Sequence, residues 1–393
     1  MSLARAAFGT LALWASACAA HDHAPTPPRS AAAVTDPRLA DDPSMRERSA
    51  LLRAAEAALA SGNPAQALAV FERAAMLLHA ADTEMGLVRA HLQAGEYRRA
   101  LAFCAHTAGA HLDSAPASAL YAWLLRIGGQ GVFAQRVLGE AAARAPSDPV
   151  VSAVVHEFKR SWPTAMDELL AAPQRMAPYG VTEQGHAAVP KDARVAASGV
   201  LMDEGRRALV PLDSLPADSA SPLWVRNGLG RMRPARFDPS NQPPLALGVA
   251  VLVLAAPLPT PGAIALAPRD PFAGSPGFVV EYAASERADP AWPWLHQGFF
   301  GGQHGVSGWR RLGIDVPGGP HGGPVFDAAG RLAGIALHRA GDQAGMLPVS
   351  LWKAWAGTDV GSAAQATAAA APLPADEAYE RALQVSLQLI VGR

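Results

Sequence analysis

Three glycines place the tightest limit on what this chain can become. Gly62, Gly95 and Gly129 are spaced 33 and 34 residues apart. Five residues after each stands an alanine (Ala67, Ala100, Ala134), and four residues further a larger apolar side chain (Phe71, Cys104, Leu138). A period of this length is that of one helix-turn-helix unit. Glycine permits the left-handed turn between two helices. The alanine lets the second helix approach the first, and the larger residue one helical turn on fills the gap between them. Such a pair cannot bury its apolar face alone, so neighbouring pairs must stack. Residues 46–173 are therefore expected as a helical solenoid whose contacts are mostly local and which folds independently of the rest. The third unit ends at Ala145-Pro146. A fourth, degraded unit is expected around Trp162-Pro163-Thr164-Ala165 and Leu169-Leu170, with Arg160 near the glycine's place. Cys104 reads as a small buried apolar residue.

The repeat resembles the tetratricopeptide repeat. The resemblance implies a concave surface for an extended or helical peptide, with Glu84, His91 and Ser118 among the groove positions. They provide no basic clamp for a C-terminal carboxylate, so the ligand stays unnamed.

The second half has another grammar. Short apolar runs, at Val195–Met202, Ala246–Leu254, Gly277–Tyr282 and Leu332–Leu337, alternate with Pro and Gly. That pattern predicts an all-β sandwich or barrel. The stretch from Gly319-Pro320-His321-Gly322-Gly323-Pro324 through Gly330 to Gly334-Ile335 resembles the nucleophile segment of trypsin-like serine proteases of the bacterial periplasmic kind. Two positions depart from that pattern: Pro320, and His321 where the serine belongs. Ser198-Gly199-Val200-Leu201-Met202 through Leu212-Asp213 resembles the segment that ends in the catalytic histidine, with Asp213 in that place. Gly248-Val249-Ala250-Val251-Leu252 resembles the strand opened by the catalytic aspartate, with Gly248 in its place; another register puts Pro244 there. Gly345-Met346-Leu347-Pro348 resembles the closing strand.

The resemblance implies a double β-barrel over 186–357, reached by a connector at 174–185. A linker follows at 358–375, and a final helix is expected over 376–393 with Leu383, Leu387 and Ile390 on one face. It also implies an oxyanion-hole-like backbone at Gly319 and His321, while no triad position keeps a hydroxyl, imidazole and carboxylate in their usual order. Asp213 and His321 are expected to face each other across the cleft, paired or separately solvated. His304 and Ser307 lie on a Gly-rich stretch beside it.

Composition narrows the partners. The chain carries 33 basic and 34 acidic residues, a net charge of −1, which gives no footprint for nucleic acid. The first 20 residues, with Arg5 ahead of a short apolar run around Phe8, Leu11, Leu13 and Trp14, read as an export signal too short to span a bilayer. Cleavage at Cys18 with lipidation and cleavage after an Ala-x-Ala pattern both fit. Residues 21–45 read as a flexible, Pro-rich leader; His21 and His23 sit there. No cofactor, no metal and no transmembrane span are expected. The fold class expected is thus multidomain, an α-solenoid followed by a two-barrel trypsin-like β domain. The activity expected is non-catalytic protein or peptide binding in a bacterial envelope, periplasmic, membrane-anchored or secreted. The rival reading is an active serine endopeptidase with a displaced nucleophile.

Overall fold

The computed structural model describes residues 42–111, 114–159, 178–182, 188–218, 220–260, 265–304, 308–316, 321–339, 343–355 and 371–392. Residues 43–393 form one compact unit. The expectations placed on the signal, the leader, Cys18, His21, His23, the fourth repeat unit, Ser307, Gly319 and Pro320 lie outside the described residues, as do most of the connector and the linker.

Seven helices open the described chain: α1 Pro43–Ala60, α2 Pro64–Leu77, α3 Ala81–Gln93, α4 Tyr97–Ala110, α5 Ala115–Ile127, α6 Gly131–Arg144 and α7 Pro149–Phe158. The three marker glycines end α1, α3 and α5 with φ of +78°, +85° and +83°. Each turn closes in the same way. The glycine N–H bonds the carbonyl three residues back (Leu59, Leu92, Arg126), and the next N–H bonds the carbonyl five back (Ala58, His91, Leu125). This is the Schellman arrangement, and it satisfies carbonyls that the helix end would otherwise orphan. Ala67, Ala100, Ala134, Phe71, Cys104 and Leu138 are all buried, as the repeat demands. Side-chain caps fix helix starts at Asn63, Ser114 and Asp148.

The β half holds thirteen strands among the described residues. They are β1 Val181–Thr182, β2 Arg194–Met202, β3 Arg207–Pro211, β4 Leu223–Asn227, β5 Arg231–Phe237, β6 Val249–Leu254, β7 Pro276–Glu281, β8 Trp294–His304, β9 Trp309–Gly313, β10 Pro324–Asp327, β11 Leu332–Arg339, β12 Gln343–Pro348 and, after two helices, β13 Ser386–Val391. The helices are α8 Val349–Trp352 and α9 Ala375–Val385. The second barrel is closed in the order β10-β11-β12-β9-β8-β7. The first runs β5-β4-β13-β2-β3-β6 and closes through β5–β6, with β1 added parallel on β5. These are two six-stranded antiparallel barrels, the architecture of a trypsin-like domain.

Two expectations need correction. The end of the chain is not one helix: α9 stops at Val385, and Ser386–Val391 is a strand buried at every residue. It pairs antiparallel with both β2 and β4, so the last segment of the chain completes the first barrel. An apolar run buried on both sides has no period that separates strand from helix, which is why the helical reading failed there. Nor does the solenoid stand apart. The edge carrying its glycine turns lies on the β half: a Cβ at Gly62 would meet Val181, at Gly95 Leu229, at Gly129 Leu295. Tyr97 stacks edge-on against Tyr379 at 4.5 Å, and Trp123 lies 5.1 Å from Trp292. One hydrophobic cluster contains Met85, Tyr97 and Trp123 together with Val280, Trp292, Tyr379 and Leu389. The expected independence of the helices is therefore not what their packing favours.

Candidate functional site

The three positions that the protease resemblance singles out converge on the end of β3. Leu212 N–H donates to Gly248 O at 3.0 Å, which places the Asp213 segment beside Gly248. Gly248 adopts a left-handed φ of 71° and sits against the Trp309 indole of the second barrel. Gly322, next to His321, packs on the first barrel so closely that a Cβ there would lie 2.1 Å from Ser198 O and 2.6 Å from Pro211 Cδ. Its φ of +128° also requires glycine. The segment at His321 thus lies in the seam between the barrels.

His321 is buried, and its partner is not Asp213. Nδ1 lies 2.8 Å from Glu281 Oε2, and Glu281 Oε1 accepts the Gly323 N–H at 3.2 Å. Glu281 closes β7 and is 1% exposed. One buried carboxylate therefore holds both the side chain and the main chain of this loop. Asp213 is exposed, in a short 3-10 turn, with its own carboxylate 3.5 Å from Ser214 Oγ. The expected Asp213–His321 pairing gives way to a carboxylate supplied from the same barrel as the imidazole.

Two further, half-buried histidines lie at this corner. The His338 ring lies 5.9 Å from that of His321. His296, on β8 opposite Val279, has its pKa pushed down to about 4, mainly by burial, with the His321 ring adding to the depression and Glu281 and Asp315 opposing it. Near neutral pH it is therefore an uncharged imidazole. Ser198, beneath Gly322, uses its hydroxyl on the main chain: it accepts from Tyr282 N at 2.7 Å and donates to Tyr282 O at 3.3 Å. The seam is sewn again by Ser386 Oγ to Val280 O at 3.2 Å.

Sequence reasoning missed Glu281, His296 and His338. Glu281 left a signal: it is the one charged residue in the apolar run Gly277–Tyr282, and a charge buried in a strand requires a partner.

The groove positions expected in the repeats are engaged inside the solenoid. Ser118 is buried and accepts from Arg144 at 2.6 Å. His91 Nδ1 meets Glu96 at 2.8 Å. Glu84 is 2% exposed and faces three imidazoles. Cys104 is fully buried, and burial raises its thiol pKa well above the ordinary value, as suits a packing residue.

Comparison with known proteins gives two findings. The tetratricopeptide repeat family matches residues 58–124, from the end of α1 into α5. Among solved structures, the MamO protease domain from Magnetospirillum magneticum is 16% identical and covers 43% of this chain and 92% of its own, with a TM-score of 0.33. Curated protein sequences give no match. Among the described residues no helix is long and apolar enough to cross a membrane. The helical half thus contains a stretch similar to the tetratricopeptide repeat family, and two six-stranded antiparallel barrels follow it.

Proposed function

We propose that the protein is a non-catalytic, exported scaffold of the bacterial envelope that binds protein or peptide, built from a repeat solenoid and a pseudoprotease domain. The observation that carries this reading is the state of His321. It occupies the place of the nucleophile and is buried against Glu281, so it offers neither a hydroxyl nor a thiol for acyl transfer. Asp213 and Gly248 replace the base and its orienting acid. Binding surface remains. An open groove of about 730 Å³ runs along the first barrel from Leu212, walled by Leu215, Pro216, Pro222, Leu223 and Phe237. Its apolar, Pro-rich wall suits an extended peptide. Export is supported by the signal-like first 20 residues; Cys18 offers a lipid anchor.

The test is incubation of the purified chain with unfolded protein substrates and with a broad fluorophosphonate label. No turnover and no labelling are expected, and His321→Ser alone restores neither, because the base is also missing. Cleavage that a single substitution in the chain abolishes would establish the rival reading, an endopeptidase with a displaced nucleophile.

A further inference from the structure

We propose that His79, Glu84 and His106 form a binding site for one divalent transition-metal ion of the zinc class, on the edge of the repeats remote from the barrels. The inference is independent of the scaffold reading above. His79 lies in the short connection between α2 and α3, Glu84 in the first turn of α3, and His106 in the last turns of α4. The chain therefore brings a ligand from the first unit against two from the second. One donor atom from each lies within 4.8 Å of the others. His79 Nε2 is 2.5 Å and His106 Nε2 3.7 Å from the same oxygen, Glu84 Oε1. Bonds of about 2.0–2.1 Å in a tetrahedral site set donor atoms roughly 3.3 Å apart. The two distances bracket that value, and both imidazoles are 59% exposed, free to adjust by side-chain rotation.

The buried carboxylate is the second observation. Its side chain is 3% exposed, and among the described residues its Oε2 has no hydrogen-bond partner. His111 Nε2 lies 3.3 Å from that oxygen and is likewise buried without one. A carboxylate taken out of water demands a cation or donors. Here it is ringed by three imidazoles, and the His111 ring stacks on His79 at 5.0 Å with 29° between planes. Imidazole nitrogen and carboxylate oxygen are both donor types of transition-metal sites. Two imidazoles and one carboxylate favour zinc, iron, nickel or copper over magnesium or calcium. His111 is then a positioning residue that orients Glu84 through its second oxygen. Three protein ligands leave a coordination position facing solvent, open to water or to a side chain of a docked protein.

α3 spans 13 residues, about 20 Å at 1.5 Å per residue, and Gly95 beyond its far end contacts the β half. The site is therefore separate from the His321 corner. A bound ion would tie the α2–α3 connection to α4 and fix the packing of the first two units.

The test uses the full chain without an affinity tag, carrying His21→Ala and His23→Ala so that the leader cannot compete. Zn²⁺ is titrated by calorimetry and Co²⁺ by visible absorption. One ion per chain is expected, with the intense d–d bands of a four-coordinate Co²⁺ site and a rise in Tm on adding Zn²⁺. His79→Ala and His106→Ala, both at exposed side chains, should each weaken binding about 100-fold, and His111→Ala about tenfold. Circular dichroism checks that the variants stay folded. Absence of binding at about 100 µM Zn²⁺, weaker than most structural or catalytic sites, overturns the proposal. Undiminished binding by the His79→Ala, His106→Ala double variant does so too.

Discussion

At His321 the imidazole turns inward to Glu281, and the same carboxylate takes the Gly323 N–H, so one buried acid holds both a side chain and the main chain of residues 321–323. This corner also carries a pH signature, through His296. Its pKa falls from the ordinary 6.5 to about 4 because burial opposes charging, and the His321 ring adds to the effect while Glu281 and Asp315 oppose it. The unfolded chain therefore binds more protons than the folded one between those values. Stability from this residue is fully present above about pH 6.5 and is lost as pH falls toward 4. A shift of that size corresponds to about 3 kcal/mol. Urea unfolding at pH 7, 5.5 and 4.5 should show the wild type losing about 2 kcal/mol more than His296→Gln by pH 4.5, most of the full shift. Equal losses in both would show that His296 charges as freely in the folded chain as in the unfolded one. The weight of position 321 was legible in the sequence because its neighbours resemble the protease pattern. Its partner was not, since Glu281 lies 40 residues away and only the barrel's closure brings them together.

The elements divide by how locally they are specified. The Gly-to-Gly period was legible because each turn is solved within six residues, by glycine's left-handed φ and two backbone hydrogen bonds. β13 was not, because nothing near it in sequence makes it a strand. Val385 through Val391 continues the apolar spacing of α9, and the chain changes form only because β2 and β4 present open edges on either side of it. Gln388 fits this buried place by bonding Arg226 at 3.1 Å and Asp289 O at 3.1 Å. An edge with unpaired N–H and C=O groups is a template for aggregation. Deleting residues 386–393 should therefore leave the first barrel open, and the truncated chain should appear mostly insoluble. In the full chain, Leu389→Ala should cost about 2–5 kcal/mol, as expected for a fully buried leucine. A soluble truncated chain with native near-ultraviolet dichroism would show that the barrel does not depend on β13.

At the scale of the whole molecule, α9 and β13 make solenoid and barrels one body. α9 lies between them: Tyr379 stacks on Tyr97 of the repeats and donates its hydroxyl to Pro293 O at 2.7 Å in the β half. Arg98 of α4 reaches Glu377 and Glu380 of α9 on the surface. Trp123 of α5 is wholly buried, with Trp292 beside it. Repeat arrays are usually stabilised by neighbour contacts alone, and their ends need polar caps. In this chain the edge bearing the glycine turns is apolar and covered by the β half, so removing that half exposes large aromatic surface. Burying such a side chain is worth about 1.5–3 kcal/mol each. A fragment spanning residues 43–159 should still be helical, but it should melt well below the full chain and bind a hydrophobic dye. In the full chain, Trp123→Ala should cost about 3–5 kcal/mol. It should also lower the transition seen by far-ultraviolet dichroism and the one seen by near-ultraviolet signals from the barrels together, because both report one cooperative unit. Two separate transitions, with the fragment's midpoint equal to the lower one, would mean that the shared cluster does not couple the halves. The solenoid would then be an independent module tethered to the barrels, and a ligand bound to its helices would leave the Glu281–His321 corner undisturbed.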